Sequence, residues 1–158
     1  MKYYNYDIVF QEIPDEVTLA INITNCPHRC GGCHSPQLQQ DIGKLLDKTE
    51  LDKLINNNKD ITCICFMGGD ADVEELNELL FYLKHNYQSK YKIGWYSGND
   101  RLDKKIFLYI LDYIKIGPYN KELGGLSNKK TNQHLYKIRH IEESNILTDI
   151  THEIISQV

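Results

Sequence analysis

At 158 residues the chain has the size of one compact domain spanning residues 1–158. Its 41% hydrophobic and 25% charged residues exclude disordered, collagen-like and membrane-embedded classes. The net charge of -4, from 18 basic and 22 acidic residues, provides no basic stripe for nucleic acid, so a protein or a small molecule is the expected partner.

The opening Met1-Lys2-Tyr3-Tyr4-Asn5-Tyr6-Asp7 lacks the apolar centre of a signal peptide, and no window approaches about 18 uninterrupted apolar residues. A cytoplasmic protein with no membrane partner is expected. In that reducing compartment five cysteines read as thiols or metal ligands rather than disulfides.

Asp7–Gln11 reads as a strand able to form a hairpin, through Pro14-Asp15, with the alternating, β-branched stretch Val17–Thr24. That second strand delivers the chain into Cys26-Pro27-His28-Arg29-Cys30-Gly31-Gly32-Cys33. Thr49-Glu50-Leu51-Asp52 predicts a capping box opening a short helix with Leu51, Leu54 and Ile55 inward. Ile61–Met67 is apolar on both faces, as a buried parallel strand is, and stops at Gly68-Gly69-Asp70.

Val73, Leu76, Leu79, Leu80, Leu83 and Tyr87 recur at helical spacing and predict a helix over residues 72–87. Lys92–Gly98 reads as a strand, Leu102, Ile106, Phe107, Ile110 and Leu111 as a further helix, and Tyr113–Ile116 as a strand broken by Gly117-Pro118. Leu135–Ile141 and Ile146–Ile150 suit short strands with a helical end. Regular β-α alternation predicts a parallel sheet with right-handed crossovers and ligand sites at the carboxyl ends of its strands.

Chemistry concentrates in the cysteine loop. C-x3-C-x2-C supplies three thiolates, one fewer than a closed iron-sulfur or structural zinc site takes, which leaves an open coordination position. In a parallel sheet Gly68-Gly69-Asp70 joins that loop on one rim, with a glycine pair open to close approach and a carboxylate able to accept from an ammonium group. Rival readings stand beside this one. Cys30-Gly31-Gly32-Cys33-His34 matches a haem-attachment signature, which requires export and leaves Cys26 idle. Zinc held by the three cysteines with His28 or His34 is stereochemically sound.

Cys63 and Cys65 share one strand face and read as packed thiols. Asp70 suits a helix N-cap as well as a ligand contact. Trp95-Tyr96-Ser97 either lines the rim or fills the core, and His85, His134, His140 and His152 carry no assigned role.

The run Asn25–Pro36, the motif Gly68-Gly69-Asp70, and a third block resemble the radical S-adenosylmethionine (SAM) superfamily. The third block is Ile116-Gly117-Pro118-Tyr119 with Glu122–Ser127 and Thr131-Asn132-Gln133. Within that superfamily the chain looks like the activating proteins of anaerobic ribonucleotide reductase. The resemblance implies an α/β fold, a short, incomplete (β/α) barrel with a parallel sheet. It implies an enzyme, an oxidoreductase in which Cys26, Cys30 and Cys33 hold a 4Fe-4S cluster whose open iron chelates SAM. Gly68, Gly69 and Asp70 would meet the methionine amino group, and Gly32, Cys33 and His34 would line the cofactor.

By the same resemblance, an electron from a flavodoxin-like or similar donor cleaves SAM, and the resulting radical abstracts hydrogen from a glycine on the reductase large subunit. Two departures stand out: Gly32 where many members carry an aromatic residue, and Asp70 where Glu is commoner. Activation of another glycyl radical enzyme and a non-catalytic zinc-binding α/β module are the alternatives.

Overall fold

Strands form where apolar residues run continuously or alternate, and helices where they recur every three to four residues. In chain order the elements are β1 (Lys2–Val9), β2 (Thr18–Ile23), β3 (Lys44–Leu45), α1 (Lys48–Asn57), β4 (Cys63–Met67), α2 (Val73–Tyr87), β5 (Lys92–Tyr96), β6 (Tyr113–Ile116), β7 (His134–Ile141), β8 (Ser144–Asp149) and α3 (Thr151–Ser156). They are taken from a computed structural model that describes residues 1–157.

All eight strands join one sheet in the order β3-β1-β2-β4-β5-β6-β7-β8. Its centre, β2-β4-β5-β6, is parallel. The flanks are antiparallel at four junctions, β1 with β2 and β3, β6 with β7, and β7 with β8.

This architecture corrects the expected (β/α) barrel. Antiparallel pairings outnumber parallel ones, helices are few, and the sheet ends in open edges rather than closing. The physical reason lies partly in residues 102–111. Their apolar spacing predicts a helix, yet the segment contains only a 3₁₀ turn at Leu108–Ile110. Asn77, buried on α2, takes its backbone: the Asn77 amide donates to the Lys105 carbonyl at 2.8 Å, and the Phe107 N–H donates to Asn77 Oδ1 at 2.9 Å. Those groups are thereby withdrawn from helical hydrogen bonding.

Both long helices start at an acidic cap. Asp47 accepts from the Glu50 N–H at 2.8 Å and Asp72 from the Glu75 N–H at 2.9 Å, so each opens on a D-x-x-E pattern. The α1 cap is therefore Asp47 rather than Thr49, and the α2 cap is Asp72 rather than Asp70. The inward residues of α1 are Leu51, Leu54 and Ile55, as its spacing predicts.

The two-residue period of the strands divides the core. Leu19, Ile21, Ile64, Phe66, Ile93, Trp95 and Ile114 face α1 and α2. Ile13, Cys63, Cys65, Tyr96, Tyr113 and Leu135 form a second cluster with Ile150 and Ile154, where α3 packs. Each fully buried large side chain contributes roughly 2–3 kcal/mol. Among the described residues no helix is long and apolar enough to cross a membrane.

Candidate functional site

The register of the parallel strands positions the site. Asn22, Met67, Tyr96 and Lys115 lie in one row across β2, β4, β5 and β6. The loops that follow these strands leave from one rim, the carboxyl edge where ligands of parallel sheets bind.

The cysteine loop leaves β2 through Asn25, whose φ of 59° turns the chain in the left-handed region. Its start is pinned by Asn25 N–H to the Gln40 carbonyl and Cys26 N–H to the Leu38 carbonyl, each at 2.9 Å. Arg29 folds back and donates to the carbonyls of Cys26 at 2.6 Å and His28 at 3.2 Å. Cys26, Cys30 and Cys33 are each half-buried, unlike Cys63 and Cys65, which are fully enclosed. The three loop thiols stand within electrostatic reach of one another, and burial pushes the Cys26 thiol up.

The glycine loop leaves β4 next door. Gly68 and Gly69 adopt φ of 109° and 103°, a region that favours glycine. Trp95, fully buried on β5, donates its indole N–H to the Gly68 carbonyl at 2.9 Å, and the Gly68 N–H donates to the Tyr96 carbonyl at 2.9 Å. Of the Trp95-Tyr96-Ser97 run, Trp95 therefore fills the core while bracing the rim. Asp70 does not cap α2. Its carboxylate takes donors from Ser97, Gly98 and Asn99 after β5 and from His28 of the cysteine loop.

A cavity of about 720 Å³ opens beneath Cys33, His34 and Ser35, with Met67, Tyr96 and Lys115 among its lining residues. Tyr119 forms another wall and meets the His34 ring edge-on at 4.6 Å. Gly117-Pro118-Tyr119 and the segment to Gln133 thus fold over the loop: a Cβ on Gly32 would stand 3.0 Å from Lys121 Cδ.

Lys115 was not singled out by sequence reasoning. Burial lowers its ammonium to about 8, against the opposing pull of Asp70, Cys30, Cys65 and Glu12. Two of its protons are engaged by the carbonyls of Ser97 at 3.1 Å and Gly117 at 2.9 Å, leaving a third. Glu12, at the same cavity, is raised by burial. A lysine interrupting the otherwise apolar Tyr113–Ile116 was the available signal.

The donor set suits an iron-sulfur cluster. A cluster distributes its thiolates over different irons, so the three thiols of one loop beside a cavity can serve it.

The model of the 4Fe-4S single cluster domain family matches residues 17–139, from the start of β2 through most of β7. No curated protein and no solved structure matches the chain. The match covers well over half of the sequence and takes in the cysteine loop, the glycine loop and Lys115, so the chain belongs to the 4Fe-4S single cluster domain family.

Proposed function

We propose that the protein is a radical SAM activase, in which Cys26, Cys30 and Cys33 hold the cluster and SAM occupies the adjoining rim. The observation that carries this reading is the adjacency of the cysteine loop and the Gly68-Gly69 loop at the ends of the neighbouring strands β2 and β4. Bound there, the cluster and SAM would supply reductive cleavage: one electron from a flavodoxin-like or similar donor would break the S–C5′ bond, giving methionine and a 5′-deoxyadenosyl radical able to take a hydrogen atom from a partner's glycine.

The chain's own residues bind, orient and exclude water. Cys33 and His34 border the cavity from the cysteine loop, while Gly32 lies outside it, against Tyr119 and Lys121. Gly68 and Gly69, free of side chains, let a ligand's amino group approach the main chain. Lys115 gives the cavity a buried cation, which favours a carboxylate. Tyr119 and the covering segment shield the far side from solvent. The expected protein substrate is the large subunit of anaerobic ribonucleotide reductase, by the resemblance of the block from Ile116 to Gln133.

Anaerobic reconstitution with iron and sulfide, followed by dithionite and SAM, tests the reading. Methionine and 5′-deoxyadenosine are expected in equal amounts; a loaded protein that never cleaves SAM refutes it. Replacing Cys26, Cys30 or Cys33 singly with Ala abolishes cluster assembly, whereas Cys65→Ala retains iron. Loss of iron in a folded Cys65→Ala protein would overturn the ligand assignment. Co-purification with the reductase large subunit tests the partner.

A further inference from the structure

Asp70 has its acceptor capacity filled by the protein itself. Oδ2 receives the Gly98 N–H at 2.9 Å and lies 3.1 Å from His28 Nε2. Oδ1 receives the Ser97 hydroxyl at 2.5 Å and the Asn99 amide at 3.3 Å. A carboxylate offers about four acceptor sites, and these four contacts occupy them; the His28 ring joins as a donor in the tautomer that carries its proton on Nε2. The Asp70 side chain is 3% exposed. An incoming ammonium would have to displace one of these donors.

The donors come from two directions. Ser97, Gly98 and Asn99 belong to the loop after β5, while His28 lies between Cys26 and Cys30. Among the described residues the His28–Asp70 bond is the one side-chain hydrogen bond that ties Cys26–Cys33 to another loop of the rim. The other bonds of that segment, from Arg29 and from the backbone of Cys26 and Cys33, stay within the cysteine loop and its return. The seat of the ring is equally specific. A Cβ on Gly98 would fall 2.5 Å from His28 Cδ2 and 2.9 Å from Nε2, so a side chain there evicts the ring.

We propose that His28 and Asp70 form a latch that holds the cysteine loop in place, with His28 a positioning residue for the cluster and Asp70 committed to the latch rather than to a ligand's ammonium group. The inference rests on Cys26, Cys30 and Cys33 being the cluster ligands. Without the latch the loop pivots about Asn25, and the cluster sits in a more open and less uniform setting.

The test uses the full chain, reconstituted anaerobically, with two readouts: the rate at which a chelator strips the cluster, and the electron paramagnetic resonance line shape of the reduced cluster. His28→Ala, Gly98→Ala and Asp70→Ala are each expected to load iron normally, to lose it about tenfold faster, the scale on which outer partners of metal ligands act, and to share one altered line shape. His28→Gln, whose amide donates in place of Nε2, is expected to restore wild-type behaviour. The double variant His28→Ala/Asp70→Ala is expected to be no worse than the worse single one, since both break the same contact.

Additive effects in the double variant, or wild-type readouts in His28→Ala, overturn the proposal. So does an Asp70→Ala protein that binds SAM weakly while Gly98→Ala and His28→Ala behave as wild type, because Asp70 then serves the ligand. Failure of the underlying ligand assignment shows separately, as iron retained in Cys26→Ala.

Discussion

Replacing Trp95 with Phe tests whether the core of the sheet and the glycine loop are mechanically joined. Trp95 is fully buried, and its indole N–H is bonded to the Gly68 carbonyl at 2.9 Å. Phe retains an aromatic ring but buries several tens of Å² less, a loss of about 1 kcal/mol at ~25 cal/mol per Å². It also leaves the Gly68 carbonyl without this donor, at a cost of about 1–3 kcal/mol. The sum, about 3 kcal/mol, corresponds to a melting temperature lowered by roughly 6–12 °C in a chain of this size. Anaerobic thermal melts of the cluster-free chain followed by circular dichroism measure it. Incorporating β-(benzothienyl)alanine at the same position keeps the shape and removes only the N–H, so it isolates the hydrogen bond. If that isostere melts with the wild type, the bond contributes nothing and the reasoning fails.

Burial raises the thiols of Cys63 and Cys65. They stay protonated in the folded chain where the unfolded chain's thiols ionise, near 8.5, so their stability is fully present below about pH 8.5 and falls above it, by up to about 1.4 kcal/mol per pH unit for each. Lys115, lowered to about 8, acts in the opposite sense: its penalty is complete below about pH 8 and is relieved towards the unfolded value near 10.4. Denaturant titrations between pH 9 and 10 should therefore decline less steeply for Cys63→Ala than for the wild type, by about one thiol's slope; parallel declines exclude the burial argument. Gly94→Ala drives a Cβ to 3.0 Å from Ile13 Cδ1 and 3.1 Å from Cys65 Sγ, and the overpacking costs about 1–3 kcal/mol. Gly125→Ala, whose Cβ meets nothing within 4 Å, should leave the same titration within about 1 kcal/mol of the wild type.

The parallel centre of the sheet was legible because its strands leave little choice. Cys63–Met67 is apolar enough to demand burial on both faces, and α2 carries its periodicity for 15 residues between an acidic cap and a basic last turn. The segment 102–111 was misread because its spacing satisfies a helix while a distant residue, Asn77, takes the backbone groups a helix needs. That contact is tertiary, and no local pattern encodes it. The open, mostly antiparallel sheet was hidden for a related reason: strand direction at the flanks depends on β1, β3, β7 and β8 returning beside their neighbours. At the site, the spacing of Cys26, Cys30 and Cys33 made them the proposed cluster ligands, and the family match over residues 17–139 takes them in. The environment of Asp70 was not legible, since His28 lies 42 residues from it and Ser97 to Asn99 lie 27 to 29 residues from it along the chain, and they meet only when β2, β4 and β5 are in register.

The cysteine loop contributes no residue between Cys26 and Cys33 to either apolar cluster. Ordering a segment costs about 1–2 kcal/mol per residue in backbone entropy, and hydrophobic burial does not offset that cost here. If Cys26, Cys30 and Cys33 hold the cluster as proposed, iron-sulfur bonds take over the task, and the loop's fold and its cofactor become one event. The molecule then comprises two cooperative units of different chemistry. One is a sheet that melts with heat and denaturant; the other is a loop that comes apart with oxygen and chelators while the sheet beneath it stays intact.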